Sequence, residues 1–261
     1  MSKTPRVRAD TALVEQGLAV DLPKARALIL AGEILWDDKP VHKAGDWLPA
    51  HAHLRLRSEP MPFVSRGGVK LAHALDVFAV SVTGKVALDV GASTGGFTDC
   101  LLQSGAARVY CVDVGQGQLA HKVATDPRVV VIDKTNIRHM PADRVPEPCT
   151  VCVIDVSFIS LRLVLPALPA LLAPGSSVVA LVKPQFEVAR PAVGKGGIVR
   201  DEVARNGALT AVAQAAREMG FSVVADTVSP ITGGKGNIEF LLHLRSADPK
   251  SPQFKVSSAT L

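Results

Sequence analysis

Two different hydrophobic periodicities divide the chain. Segments 6–15 (RVRADTALVE) and 22–31 (LPKARALILA) place apolar residues at helical spacing with basic residues between them, and Gly17 and Gly32 punctuate them. Short extended pieces are predicted at 34–36 and 53–57, separated by turn signals at Asp37-Asp38 and Gly45-Asp46. Residues 1–57 therefore read as a small α+β module, and 58–63 (SEPMPF), with two prolines, as a short linker. From residue 64 the pattern changes to apolar runs alternating with helical segments. After a helix over 65–79, strands are predicted near 85–90, 108–113, 128–133, 150–155, 177–183, 221–227 and 237–244. Helices are predicted near 95–104, 116–124, 160–172 and 200–219. That order predicts an α/β domain over 64–246, a doubly wound, mostly parallel sheet with one antiparallel edge strand. The polar stretch 247–261 is expected to be a frayed tail.

Composition narrows the class. With 48% hydrophobic but only 4% aromatic residues in 261, the core must be aliphatic. The net charge is +5, and residues 1–70 hold 11 Lys+Arg against 8 Asp+Glu, so a polyanionic partner is expected to meet the N-terminal module first. The opening MSKTPRVRAD lacks the apolar core of a signal peptide. The longest hydrophobic stretch, 163–173, is interrupted by Pro166 and Pro169 and is too short to span a bilayer. The expectation is a cytoplasmic protein with no membrane partner. Cys149 and Cys152 have metal-ligand spacing, but in a strand positions i and i+3 face opposite sides. These two, with Cys100 and Cys111, are read as buried or free thiols, and no metal is expected.

Candidate chemistry gathers at the predicted carboxyl ends of the strands. Segment 86–97, VALDVGASTGGF, is an apolar run stopping in a Gly-rich turn that opens a helix. In a doubly wound sheet that first turn borders the ligand crevice. Its G-x-x-x-G-G spacing is not the dinucleotide fingerprint G-x-G-x-x-G. Asp89 suits a ligand bearing an amine or ammonium. Asp113, 22 residues beyond Gly91, is placed for ribose hydroxyls, and Asp133 or Asn136 for an adenine edge. An adenosine-containing cofactor fits, and the disrupted spacing favours S-adenosylmethionine over NAD. The fourth strand ends in Asp155-Val-Ser-Phe158 without the D/N-P-P-Y/F of base-amine methyltransferases, and Pro148-Cys149 stands before that strand rather than after it. Base chemistry is disfavoured and hydroxyl chemistry remains. Lys183 ends the fifth strand in KPQFE, Glu239 opens the last in GNIEF, and Lys70 follows the turn SRGG. Lys70, Asp155, Lys183 and Glu239 all fall beside one crevice in this architecture.

These stretches carry a family resemblance. SRGGVKL, DVGASTGGFTD, DVSFISL, KPQFE and GNIEF resemble the TlyA (haemolysin A-like) ribosomal RNA 2′-O-methyltransferases, in which an S-four RNA-binding module precedes an FtsJ-like methyltransferase domain. The order helix, Gly, helix with K-A-R, A-G-x-I, hairpin and basic strand is similar to the S-four module. The resemblance implies a Rossmann-like S-adenosylmethionine-dependent methyltransferase. It puts the Lys-Asp-Lys-Glu tetrad on Lys70, Asp155, Lys183 and Glu239, and cofactor contacts on Asp89, Gly91, Ser93, Gly95, Gly96 and Phe97. RNA contacts fall on Arg6, Arg8, Lys24, Arg26, Lys39 and Lys43. The implied substrate is a cytidine ribose in 16S and/or 23S ribosomal RNA. The alternatives are a non-catalytic RNA-binding ribosome assembly factor, against which the complete tetrad speaks, and a haemolysin-like membrane-active protein.

Overall fold

A computed structural model describes residues 5–57 and 61–248. The chain forms two compact units, Met1–Met61 and Pro62–Leu261. Most of the expected tail, and residues 58–60 of the expected linker, lie outside the described residues.

The N-terminal unit starts with a strand where the periodicity predicted a helix. β1 (Arg6–Arg8) pairs antiparallel with β4 (Trp47–Pro49), Val7 opposite Leu48. The RVR alternation puts Val7 against the core and leaves both arginines exposed, a pairing no local window contains. The helix begins only at α1 (Ala9–Glu15). α2 (Leu22–Leu30) follows, started by Asp21, whose carboxylate accepts the Lys24 N–H at 2.8 Å, and by a proline in its first turn. β2 (Ile34–Trp36), β3 (Lys39–Pro40) and β5 (Leu54–Leu56) form a second small sheet in the order β3-β2-β5. Leu13, Ala25, Ile29, Ile34, Leu48 and Leu54 fill the core between them.

The second unit is a seven-stranded sheet with helices on both faces. Its elements run α3 (Arg66–Val77), β6 (Val86–Val90), α4 (Gly96–Gln103), β7 (Arg108–Val112), α5 (His121–Ala124), β8 (Val129–Ile132), β9 (Cys149–Ile154) and α6 (Leu161–Val164). They continue β10 (Leu172–Val182), α7 (Pro184–Glu187), α8 (Glu202–Glu218), β11 (Ser222–Val228) and β12 (Phe240–Arg245). The strand order is β11-β12-β10-β9-β6-β7-β8, reversing direction of travel beside β6. β6 through β10 are parallel, whereas β12 runs antiparallel to both its neighbours. The antiparallel member of the terminal strand pair is thus β12, one place in from the rim that β11 forms. Period-two alternation splits the core: Val151 and Val153 face the α3–α4 side with Leu71 and Leu101, while Cys152 and Ile154 face Leu161, Leu165 and Val212.

Two expected helices are shorter than the pattern suggested. The segment near 116–124 is helical only over α5, after a loop with two glycines. The 160–172 segment is a turn of α-helix followed by a 3₁₀ turn at Leu165–Ala167, because Pro166 and Pro169 remove the donors a longer helix needs. All four cysteines are free and buried, and burial pushes the Cys149 thiol up to about 12. Among the described residues no helix is long and apolar enough to cross a membrane.

Candidate active site

The glycine turn is fixed by two close approaches. Gly91, at φ +86°, sits where an added Cβ would lie 2.5 Å from the backbone oxygen of Asp155, so the ends of β6 and β9 can meet only without a side chain there. At Gly96 an added Cβ would lie 2.1 Å from Ser65 Oγ, which brings the start of α4 against the turn preceding α3. Between them Ser93 adopts a left-handed conformation, φ 47°, and its N–H donates to Asp113 Oδ2 at 2.8 Å. Gly115 N–H donates to Asp113 Oδ1 at 2.7 Å, so both oxygens of this carboxylate are held in one orientation.

Two adjoining cavities open over this turn. The larger, about 460 Å³, has Asp113, Asn136, Val112, Ile137 and Phe158 in its wall. The smaller, about 110 Å³, is walled by Ser65, Lys70, Gly96 and Phe97. Gly91, Ser93 and Asp155 border both. Six of the eight residues expected to hold a cofactor therefore line one cavity or the other. Asp133, the alternative to Asn136, instead accepts the Gly117 N–H at 2.7 Å. Gly95 lines neither; at φ 90° it turns the chain into α4, packed against Leu119 and Val123.

Asp89 also lines neither cavity. It is fully buried one residue before Val90, which does reach the larger wall. Thr98 Oγ1 donates to its Oδ2 at 2.6 Å, while Oδ1 has no partner among the described residues. Burial, reinforced by the negative charges of Asp155 and Asp113, pushes its carboxyl up to about 7, and the Thr98 hydrogen bond opposes that rise.

The four expected tetrad residues come together as two ion pairs. Lys70, buried on α3, meets Glu239, which immediately precedes β12 and lies 169 residues away. Lys183, at the mouth of β10, places Nζ 2.6 Å from Asp155 Oδ1 as an ion pair. The same Nζ donates to Ser157 Oγ at 2.9 Å. Lys70 and Asp155 face the smaller cavity, with Glu239 and Lys183 as their charge partners. Glu239 is closed in by the 229–238 loop: an added Cβ on Gly233 would lie 2.4 Å from its Oε1. Asn237 ties that loop down by accepting the Val199 N–H and donating to the Gly197 carbonyl.

The sequence reading assigned no role to several residues at this rim. Phe158 is 90% exposed, lies in the left-handed region at φ 64°, and borders the larger cavity. A bulky residue in that conformation is rare, and such strain clusters at functional sites. Phe186 packs on it with ring centroids 5.1 Å apart. Both stand in motifs visible in the sequence, but a backbone torsion and the exposure of an aromatic ring have no local signature.

The six basic residues expected to meet RNA are all exposed on the N-terminal unit. Three of them are partly engaged. Arg8 and Arg26 both reach the buried Asp10 carboxylate, at 2.8 Å and 3.1 Å, and the Arg8 hydrogen bond leads in holding that carboxyl down at about 2. Arg6 donates to the Trp47 carbonyl at 2.7 Å.

The residues present fit an adenosylated sulfonium ligand. An orphaned buried carboxylate oxygen beside the turn, in a cluster of three carboxylates, favours a cationic group; the tight glycine cradle lets a ligand lie against backbone. The larger cavity has mixed apolar and polar walls that include an oriented carboxylate and an amide, as a nucleoside requires.

The chain is similar to known proteins over most of its length. Residues 63–246 match the FtsJ-like methyltransferase family. The chain is 43% identical over 242 residues to the 16S/23S rRNA (cytidine-2′-O)-methyltransferase TlyA of Mycobacterium tuberculosis, covering 92% of this chain and 90% of that one. It is 40% identical over 241 residues to hemolysin A of Brachyspira hyodysenteriae, covering 91% and 99%. A solved structure from Streptococcus thermophilus, described as a candidate hemolysin, is 44% identical and superposes with a TM-score of 0.72 over 94% of this chain and 90% of that chain.

Proposed function

The chain belongs to the TlyA family of FtsJ-like methyltransferases, and on that premise we propose that it methylates the 2′-hydroxyl of a cytidine in ribosomal RNA, with S-adenosylmethionine as donor. The observation that carries the reading is the pairing of Lys183 with Asp155 and of Lys70 with Glu239 around the recess that adjoins the nucleoside-sized cavity. When bound, S-adenosylmethionine supplies a methyl group on a positively charged sulfur.

Asp113 and Asn136 bind the nucleoside end, and Gly91 and Ser93 pass it along the backbone toward the recess. The unpartnered oxygen of Asp89 supplies negative charge from behind the turn. A ribose hydroxyl is a weak nucleophile and must shed its proton as it reacts. We assign that proton to Lys183, whose Nζ is held by Asp155 and Ser157 and must first release one ammonium proton to solvent so that its neutral amine can accept the proton of the hydroxyl as the oxygen takes the methyl group. General-base assistance is worth roughly 10²–10⁴-fold, whereas alignment of two reactants supplies on the order of 7–11 kcal/mol. Most of the rate enhancement thus belongs to positioning. Phe158 and Phe186 offer an aromatic face at the rim on which a base turned out of its stack can rest. The exposed arginines and lysines of the N-terminal unit bind the RNA backbone in this reading, as an S-four-like module would. The reading places the protein in the cytoplasm, where its substrate is.

The test is methyl transfer from labelled S-adenosylmethionine to ribosomal subunits and to stripped ribosomal RNA. Wild-type protein labels one of these, and Lys183→Ala labels neither while still binding cofactor in a calorimeter. Wild-type binding of cofactor and RNA with no transfer to either would favour the non-catalytic assembly factor.

A further inference from the structure

Two segments leave neighbouring strands at the site and are fastened to each other three times. After β9 the chain runs through Asp155-Val-Ser-Phe-Ile-Ser160 into α6; after β10 it runs through Lys183 into α7. Lys183 meets Asp155 and Ser157, and Phe186 packs on Phe158. The third fastening is Glu187, the last residue of α7, which is buried with 8% exposure. Its Oε1 accepts the Leu161 N–H at 2.7 Å, and its Oε2 accepts the Ser160 hydroxyl at 2.5 Å. Arg162 Nε lies 3.6 Å from Oε2, and Arg162 Nη2 donates to the Glu187 carbonyl at 3.3 Å.

We propose that Glu187 is a positioning residue, whose carboxylate locks the 157–161 turn to the Lys183 segment and so holds Phe158 ready for the substrate base. The proposal rests on the reading above that Phe158 meets that base. A carboxylate is a poor choice for filling space, because burying its charge is unfavourable, and burial here pushes the Glu187 carboxyl above its ordinary range. Its worth lies in accepting from two donors of that turn at once. Phe158, with a left-handed backbone and an almost fully exposed ring, is not held in place by burial of its own side chain. Its geometry is over-determined from both sides instead, by Ser157 on Lys183 and by Ser160 and Leu161 on Glu187. Glu187 touches neither cavity, so it acts through this turn.

The experiment uses the full chain with ribosomal subunits or ribosomal RNA as acceptor, whichever the wild type labels, and compares Glu187→Ala, Glu187→Gln, Phe158→Ala and the double variant Glu187→Ala/Phe158→Ala. Glu187→Ala should lower kcat/KM for RNA about tenfold or more, as small misplacements at a reacting site do. Affinity for S-adenosylhomocysteine should stay within about twofold in the same variant. Glu187→Gln, which keeps an acceptor for the Leu161 N–H and a polar partner for Ser160, should recover most of the loss. On the Phe158→Ala background Glu187→Ala should add less than about twofold, since both act through one turn. Amide exchange at Leu161 should quicken in Glu187→Ala. Additive losses, a fall in cofactor affinity in step with transfer, or wild-type behaviour of Glu187→Ala would each overturn the proposal. If the wild type transfers nothing, the function proposed above fails, and unchanged exchange at Leu161 in Glu187→Ala would separately overturn the lock.

Discussion

Asp89 is buried beside the glycine turn and lines neither cavity. With one oxygen on Thr98 and the other orphaned, its ionised form is disfavoured by burial and by two neighbouring carboxylates. The raised carboxyl, near 7 against an ordinary value of 3.8, sets the sign of the pH dependence. Its contribution to stability is complete below about pH 4 and is lost as the pH rises through about 7. A cationic ligand favours the ionised form, so cofactor affinity should rise between about pH 6 and pH 8, and Asp89→Asn should flatten that rise. Calorimetry across the range reads both. At Lys183 the effect is on turnover: Lys183→Ala should lower kcat at least about 10²-fold with cofactor affinity retained, as measured by transfer and binding on the same preparation.

At the scale of elements, the glycine turn and the strand ends were legible because each is local. An apolar run followed by closely spaced glycines announces its own geometry, and the carboxyl ends of β7, β9 and β10 carry Asp113, Asp155 and Lys183 just after strands that the pattern located within a few residues. The failures were non-local. β1 is a strand because of β4, about forty residues on. Likewise the sequence proposed four tetrad residues but not their pairing, because Lys70 meets Glu239 only once the last strand is inserted beside β10. Phe158 stands within the DVSFISL motif, yet its exposure and torsion come from the turn that Glu187 and Lys183 hold. The turn itself gives a sharp prediction. Gly91→Ala would force a Cβ to 2.5 Å from the Asp155 carbonyl at a positive φ, so it should destabilise the catalytic unit by roughly 1–3 kcal/mol and weaken cofactor binding, as read by thermal unfolding with and without S-adenosylhomocysteine.

The whole molecule divides its labour between two units of different chemistry. The catalytic unit carries the carboxylate-lined crevice; the N-terminal unit exposes Arg6, Arg8, Lys24, Arg26, Lys39 and Lys43. Asp10 draws Arg8 and Arg26 together, and because its carboxyl is held down at about 2, its contribution persists above about pH 4 and fades only as the pH falls toward 2. If the exposed face binds phosphates, RNA affinity should fall with log salt concentration in proportion to the contacts made. Replacing Lys24, Lys39 and Lys43 together by Ala should make that slope shallower and leave cofactor affinity unchanged, as filter binding over a salt series measures.

The central claim is that the acceptor is a ribose hydroxyl. The direct measurement is to methylate ribosomal RNA with labelled cofactor, hydrolyse it in alkali and locate the label. A 2′-O-methyl group blocks cleavage at its own nucleotide, so the account predicts one alkali-resistant dinucleotide carrying all of the label, with cytidine as its methylated member, and none with Lys183→Ala. Label recovered on a free mononucleotide base would contradict it.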